Sequence, residues 1–205
     1  MRLIGCWIHG CNSGSTENAA VRALNSDSFS STTILNCIIS GNTLDGINFD
    51  AGTRITIMNC TLDSNAGDNI EMTGTLTTRT APCIMNNILT KSTGGYGIRA
   101  LTNTEMTENG VLINYNAFGF GTYANSSGTV TPTTITRPND VTLATGDPYT
   151  SSGGFNFGIL ASSAAQNAGF PQTIKGSATD ANLNIGAAQQ AYAAGGGSTS
   201  YVIGG

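Results

Sequence analysis

A short apolar motif that returns along the chain constrains the fold more than any other feature. Its clearest copy is Thr33-Ile-Leu-Asn-Cys-Ile-Ile-Ser-Gly-Asn42, and variants occupy residues 55–65 and 83–90, with related segments near residues 3 and 113. The copies keep the chemical type at each position while the segments between them change in length. One copy cannot bury its own apolar side, whereas stacked copies can, so the repeat predicts a solenoid.

Three columns of the aligned copies have distinct chemistry. The first column is aliphatic and contains Leu3, Ile34, Ile57, Ile84 and Ile113. The second column has small or amide side chains, at Cys6, Cys37, Cys60, Asn87 and Asn116. The third column is again apolar, with Ile8, Ile39, Leu62, Leu89 and Phe118. Each copy also carries a second apolar segment with an alternating pattern, such as 46–49, and this period of two predicts about three strands per repeat.

The motif I-x-N-[C/N]-x-[I/L]-x-x-N, followed by G-I-x-[F/A], resembles the coils of right-handed parallel β-helix proteins, the pectin-lyase-like superfamily, over about residues 3–118. The resemblance implies an all-β, right-handed parallel β-helix of about five coils. It also implies that Asn87 and Asn116 bond to each other along the axis at a bend. Cys6, Cys37 and Cys60 depart from this pattern, and we expect thiol packing there.

Three segments follow from the pattern: β-helix coils over 1–118, a C-terminal capping segment over 119–192, and a Gly-rich linker with a terminal strand over 193–205. Short sequence motifs in the segment 119–192 resemble the C-terminal segment that closes the last coil in many secreted or viral β-helix proteins. A cap is expected because an open solenoid end exposes unpaired strand edges. The first coil begins at residue 3 without such a cap, which favours a module whose first coil stacks on another protein at the end of an assembly.

Composition excludes several functions. Only 8 of 205 residues are Lys or Arg, without a basic cluster, so nucleic acid is not an expected partner. No apolar run reaches about 18 residues, so no membrane span is predicted. The five cysteines are an odd number without CxxC pairs, which argues against a disulfide scaffold or a zinc knuckle. We predict neither a metal nor a cofactor, and we interpret His9, the only histidine, as a surface residue.

Two carboxylates are weak candidates for catalysis. Asp45 and Asp68 precede equivalent segments, so they should lie on adjacent coils about 5 Å apart, near the separation of a retaining glycosidase pair. The alternative, which we favour, is that both are turn residues that bond to the backbone. We expect Glu71 and Arg99 to form an exposed cross-strand pair worth about 0.2–1 kcal/mol. A lyase site, with a basic residue beside acidic groups that hold calcium, is not evident.

An outward column that should be polar is largely apolar: Trp7, Ile38, Thr61, Ile88 and Ala117. We assign Trp7, Ile38 and Ile88 to a binding or interface surface, since such an apolar row is unusual on a soluble monomer. Either the C-terminal segment folds back over this face, or another subunit covers it as in trimeric tailspikes. The first explanation is the simpler one.

The predicted function is a structural module of a phage virion or a secreted surface protein that contacts a receptor or glycan and is not catalytic. Its location would be extracellular or on the virion, with polysaccharide as ligand and a homotrimer or another surface protein as partner at the first coil. One alternative is a polysaccharide-degrading enzyme, a glycoside hydrolase or lyase, that acts through Asp45 and Asp68. Another is a self-assembling fibre subunit, suggested by the open first coil and the tail at 201–203. Fold alone does not decide among these.

Overall fold

Over the residues that the structure describes, the chain forms a right-handed parallel β-solenoid with almost no helix. The computed structural model describes residues 1–11, 19–24, 31–50, 53–73, 82–90, 95–100, 112–119, 124–125, 139–143, 148–151, 154, 156–160, 162–166, 168–169, 189–190 and 200–201. Successive strands along the chain belong to three parallel sheets in turn, so each sheet gathers one strand from each stacked repeat.

Sheet 1 is formed by the strand that leads into each motif. Its five strands, in spatial order, are β1 (Arg2–Ile4), β4 (Ser31–Leu35), β7 (Arg54–Met58), β10 (Cys83–Met85) and β13 (Leu112–Asn114). Leu3 pairs with Ile34, and the same register continues through the aliphatic column to Ile113. The predicted column is therefore a true stack of neighbouring strands.

Sheet 2 is formed by the strand that leaves each motif. Its strands are β2 (Trp7–His9), β5 (Ile38–Ser40), β8 (Thr61–Asp63), β11 (Ile88–Thr90), β14 (Ala117–Phe118) and β16 (Val141–Thr142). β16 comes from the C-terminal part of the chain and pairs with β14. A segment beyond the predicted coils therefore extends this sheet.

Sheet 3 is formed by the second apolar segment of each repeat. Its strands are β3 (Ala19–Ala23), β6 (Asp45–Asp50), β9 (Ile70–Thr73), β12 (Ile98–Ala100) and β15 (Ala124–Asn125). Inward positions alternate with outward ones, as the period of two predicts. The outward register aligns Arg22, Asn48, Glu71 and Arg99.

Positive φ angles mark the sharp bends between the sheets. Between sheets 1 and 2 the left-handed residue is Asn36, Asn59 or Asn86 in successive repeats, with φ values of 54°, 54° and 59°. Asn tolerates this conformation better than most residues because its short amide bonds locally. The residue that precedes each Cys or Asn of the second column thus sets the bend, with Gly5 in the first repeat and Tyr115 in the last.

The interior of the solenoid is a continuous apolar core. The aliphatic columns of sheets 1 and 2 meet the inward side chains of sheet 3 there, including Ile47, Phe49, Ile70 and Met72, all fully buried. Cys37 and Cys60 belong to the same cluster. Close stacking along the axis removes these side chains from water and is the main source of stability.

Two short antiparallel pairs lie in the C-terminal part of the chain. β17 (Tyr149–Ser151) pairs with β18 (Asn156–Ile159), and β19 (Gln189–Gln190) pairs with β20 (Ser200–Tyr201). The predicted linker at 193–199 and most of the terminal strand at 201–203 lie outside the described residues. The coil count of five and the closing of the solenoid end by residues 119–192 stay predictions, since segments such as 101–111 and 126–138 are also outside.

Candidate functional site

A polar cleft of about 370 Å³ opens beside the N-terminal ends of the sheet 3 strands. Its walls are Thr43, Leu44, Asp45, Ala66, Gly67, Glu71 and Arg99. Thr43, Leu44, Ala66 and Gly67 come from the turns that lead into β6 and β9, and the other three side chains come from the strands themselves. The site therefore arises where three neighbouring repeats stack.

Asp45 begins β6 and bonds to the next repeat. Its Oδ1 accepts a hydrogen bond of 2.7 Å from the backbone N–H of Asp68. A Cβ atom at Gly67 would lie 2.0 Å from this oxygen, so only glycine leaves room for the carboxyl group to reach the backbone. Asp45 thus has the backbone-bonding role that the turn interpretation predicts, and its side chain also lines the cleft.

Asp68 repeats this arrangement one coil further on. Its Oδ1 accepts a hydrogen bond of 2.6 Å from the backbone N–H of Tyr96, and its Oδ2 lies 3.3 Å from Nη1 of Arg99. Gly95 stands where a Cβ would lie 2.3 Å from Oδ1. The Asp68 side chain is only 3% exposed. Both oxygens are engaged, and the carboxyl group is shielded from solvent.

Glu71 and Arg99 form an ion pair across β9 and β12, with 3.5 Å between Oε1 and Nη1. The other Glu71 oxygen accepts a hydrogen bond from Nδ2 of Asn48. Arg99 is 39% exposed, whereas Glu71 is only 15% exposed. The expected cross-strand pair is therefore present, but it is less exposed than expected, because Arg99 bridges Glu71 and Asp68 and the acidic partners are largely covered.

The carboxyl groups perturb one another because they are close and partly desolvated. Burial raises the pKa of Asp45 from its ordinary value of 3.8 to about 7, and the hydrogen bond to Glu71 adds to the effect. Burial also raises the pKa of Asp68, against the opposing influence of the Tyr96 N–H and Arg99. Near neutral pH, Asp45 is the group of this site that gains or loses a proton.

The structure brings Asp45 and Asp68 together on adjacent repeats, as the register predicts. Chemically, however, the two carboxyl groups are unequal. Asp45 faces the cleft and can exchange a proton, whereas Asp68 is buried and fixed by two partners. A sugar in the cleft would meet Asp45, Glu71 and Arg99 rather than Asp68. Sequence reasoning did not include Glu71 and Arg99 in a site because it treated them as surface charges.

The predicted column at the first bend is a hydrogen-bonded stack. Oδ1 of Asn116 accepts both the Asn87 backbone N–H and its Nδ2, each at 3.0 Å, and Oδ1 of Asn87 accepts the Cys60 N–H at 2.9 Å. The thiols of Cys6, Cys37 and Cys60 each approach the carbonyl oxygen two residues earlier. The cysteine half is therefore held by weak S–H donors in addition to dispersion. Burial raises the pKa of the Cys60 thiol.

A second amide ladder stands at the bend between sheets 2 and 3. Nδ2 of Asn42 donates to Oδ1 of Asn65 at 2.7 Å, and Nδ2 of Asn65 donates to Oδ1 of Asn69 at 2.9 Å. All three side chains are buried. Sequence analysis gave this ladder no role, although the last Asn of the repeated motif was the signal for it.

The apolar outward column of sheet 2 is divided between covered and open parts. Ile88 and Ala117 are fully buried in a cluster with Leu143, Tyr149 and Phe157 of the C-terminal segment. At this end the face is thus covered by the chain itself, which is the simpler of the two explanations. Ile88 is not available to a separate partner, so the assignment of this residue to an open interface is corrected.

The other end of the column remains accessible. Trp7 is 48% exposed, whereas Ile38 is partly buried and packs against the cluster that contains Ile88 and Tyr149. The indole ring stacks on His9 with 4.5 Å between ring centroids, and its Nε1 donates a hydrogen bond of 3.4 Å to Oγ of Ser40. Trp7 is therefore the accessible member of this pair, and the assignment of the two residues to a contact surface stays a prediction.

Comparisons with protein-family models, with curated proteins and with solved structures find no match to the chain. Within the described residues no helix is long and apolar enough to cross a membrane. The assignment of a function consequently depends on the geometry of the cleft and of the two outer faces.

Proposed function

We propose that this chain is a structural β-helix module of a virion or a secreted surface protein, which contacts a glycan through the polar cleft without cleaving it. The proposal includes the finer architecture, with about five coils of the pectin-lyase-like kind and residues 119–192 closing the end of the solenoid. Trp7 and Ile38, beside the first coil, would contact a neighbouring subunit or surface protein. The module would work outside the cell or on the particle.

The observation that carries the non-catalytic assignment is the engagement of Asp68. A glycosidase needs two carboxyl groups that reach the scissile bond from opposite sides. Asp68 is 3% exposed, and both of its oxygens already have partners in the scaffold. Asp45 also bonds to the backbone of the next repeat. Both residues therefore have structural roles that account for their positions.

The remaining polar groups of the cleft suit the binding of a sugar. Asp45 and Glu71 offer carboxyl oxygens, and Arg99 offers a partly exposed guanidinium group. Each carboxylate oxygen can accept more than one hydrogen bond, so bonds within the protein leave capacity for hydroxyl donors. A cleft of about 370 Å³ lies within the size range of small-ligand sites, roughly 300–1,000 Å³.

Hydrolysis of a glycan is the second candidate, and one observation favours it. The pKa of Asp45 is raised to about 7 mainly by burial, with the neighbouring Glu71 adding to it. Carboxyl groups whose pKa values are driven apart are typical of acid and base pairs in glycosidases. In this alternative Asp45 would be the general acid, and Glu71 would take the role that Asp68 cannot reach.

A single panel separates binding from cleavage. The purified chain is incubated with neutral, amino and acidic oligosaccharides, and we measure binding by calorimetry, reducing ends by a colorimetric assay and unsaturated products by absorbance. We expect binding without product. Product formation that Asp45→Asn or Glu71→Gln abolishes would establish the enzyme instead. Absence of binding to every glycan of the panel would refute the glycan-contacting function.

A further inference from the structure

We infer that the polar cleft selects glycans that carry free amino groups over N-acetylated glycans and over glycans of uronic acids. This inference rests on the proposed glycan-contacting function and adds the chemical class of the ligand. It follows from the balance of charge and of hydrogen-bonding groups around the cleft.

Acidic side chains outnumber basic side chains around the cleft. Two carboxyl groups, those of Asp68 and Glu71, contact one guanidinium group, that of Arg99, and a third carboxyl group, that of Asp45, lines the same cleft. The same imbalance holds for the whole chain, which has 12 acidic and 8 basic residues and a formal net charge of −4. The field around the cleft therefore attracts cations and repels anions.

The guanidinium group of Arg99 in the cleft wall is already paired within the protein. Nη1 of Arg99 lies 3.3 Å from Asp68 and 3.5 Å from Glu71, so the guanidinium group already has two acidic partners. A uronate in the cleft would have to compete with both of them for Arg99. It would also bring its own carboxylate beside Glu71, and like charges at such distances disfavour binding.

The acidic walls of the cleft offer hydrogen-bond acceptors. The Glu71 side chain is an acceptor in its ionised form, with about four lone-pair sites, and Asp45, whose pKa is about 7, keeps acceptor oxygens when it is protonated. An ammonium group has three donors and no acceptor, so it complements such walls. N-acetylation removes the charge and places a carbonyl acceptor at the same position, which does not suit acceptor-rich walls.

The charged wall of the cleft is accessible from solvent. Glu71 is 15% exposed and Arg99 is 39% exposed, so the charged wall is reached from solvent although its acidic side is partly covered. Partial burial makes a charge pair stronger than it would be on an open surface, because solvent screens it less. The amino group of a sugar therefore gains most if it is placed against Glu71 and Asp45.

The test compares three oligosaccharides of equal length: a glucosamine oligomer, its fully N-acetylated form and a galacturonate oligomer. Calorimetry at pH 6 and low salt measures their binding to the full chain. We expect the amino form to bind up to about fivefold more tightly than the N-acetylated form, since a half-exposed ion pair contributes at most about 1 kcal/mol, and the galacturonate to bind most weakly. Equal binding of the first two, or tightest binding of the galacturonate, overturns the inference while glycan contact itself stands. A chain that binds none of the three refutes the proposed function as well.

Two variants that should change the affinity for the amino form in opposite directions test whether the cleft is the binding site. Glu71→Gln should weaken binding of the amino form, and Arg99→Gln should strengthen it, since it removes the competing cation. Loss of fold cannot produce tighter binding, so the second variant protects the test against misfolding. Asp50→Asn, in the same strand as Asp45 but outside the cleft walls, is the matched control and should change binding little. If Asp50→Asn weakens binding as much as Glu71→Gln, general attraction to an acidic protein explains the result and the inference fails.

Discussion

The outer faces of sheets 2 and 3 are built on the same repeat but have opposite chemistry. On sheet 2 the outward column is Trp7, Ile38, Thr61, Ile88 and Ala117, and its C-terminal end is covered by the chain's own later segment. On sheet 3 the outward column is Arg22, Asn48, Glu71 and Arg99, next to an open cleft. The interior columns fix the fold in both cases, and the outward residues decide what each face can contact.

A hydrogen-bonded chain anchors the covered face. Thr90 donates to Oδ1 of the buried Asp63 at 2.7 Å, and the hydroxyl of Tyr149 lies 2.9 Å from Oγ1 of Thr90. Because the single Thr90 hydrogen is used for Asp63, Tyr149 is the donor in the second bond. The Tyr149 ring meets Phe157 edge to face at 5.1 Å. The covering segment is thus held by apolar packing, by the backbone bonds of β16 to β14 and by the polar link between Tyr149 and Thr90.

The largest effect should follow from removal of the Tyr149 ring. Tyr149→Ala leaves a cavity over Ile88 and should lower the free energy of unfolding by about 3–5 kcal/mol, as for other buried aromatic residues. Tyr149→Phe keeps the ring and loses only the bond to Thr90, so we expect a loss of about 0.5–1.5 kcal/mol. Denaturant titration measures both. Similar values for the two variants would show that the ring packing does not hold the segment.

Thr90→Val tests the polar link from the other side. Valine keeps the shape and removes the hydroxyl that serves both Asp63 and Tyr149, so the free energy of unfolding should fall by about 1–3 kcal/mol. The matched control is Thr53→Val, whose loss should be smaller because the buried hydroxyl of Thr53 has no hydrogen-bond partner among the described residues. The measurement is again denaturant titration. A variant as stable as the parent would exclude the link.

Sequence reasoning recovered the interior well because stacking repeats each position's requirement. Leu3 to Ile113 is a real column, and Asn87 and Asn116 bond along the axis. The bond between Asp45 and the next repeat was also within reach, since turn chemistry predicts it. In these cases one residue type at one register position determines the contact.

The rest depended on contacts between distant parts of the chain. The motif does not indicate that Tyr149 lies against Thr90, 59 residues earlier. The group that covers Ile88 could therefore be given only as two alternatives. Likewise, Arg99 reaches Asp68 as well as Glu71 because its long side chain crosses from the outward column to the turn. Register places Cα atoms, whereas such bridges depend on side-chain length and rotamer.

The open face should show a pH dependence of stability through Asp45. The pKa of Asp45 is 3.8 ordinarily and about 7 in the folded chain, chiefly through burial, with Glu71 and Asp68 nearby. Between these values the folded state holds a proton that the unfolded state has released, so stability falls as the pH rises through this window. We expect a loss of about 1–2 kcal/mol, below the full linkage value because solvent in the cleft screens the charge.

Asp45→Asn isolates this contribution. Asn keeps an oxygen for the Asp68 N–H and cannot ionise, so the stability of the variant should depend less on pH between 4 and 7. Thermal unfolding across this range is the measurement. Since burial raises the pKa of Asp68 in the same direction, some slope should remain in the variant. An unchanged slope in Asp45→Asn would mean that Asp45 is not the titrating group.

The smallest effect should come from the ion pair between Glu71 and Arg99. The guanidinium group is 39% exposed and therefore screened, so a double-mutant cycle of Glu71→Gln and Arg99→Gln should give a coupling free energy of only about 0.2–1 kcal/mol. Denaturant titration at low and high salt measures it, and the coupling should shrink with salt. A coupling as large as the effect of Tyr149→Ala would make the pair part of the scaffold, and the cleft could then no longer be treated as the face that is free to bind. A small coupling means that stability places little constraint on the residues at these two positions, and their charges can serve a ligand.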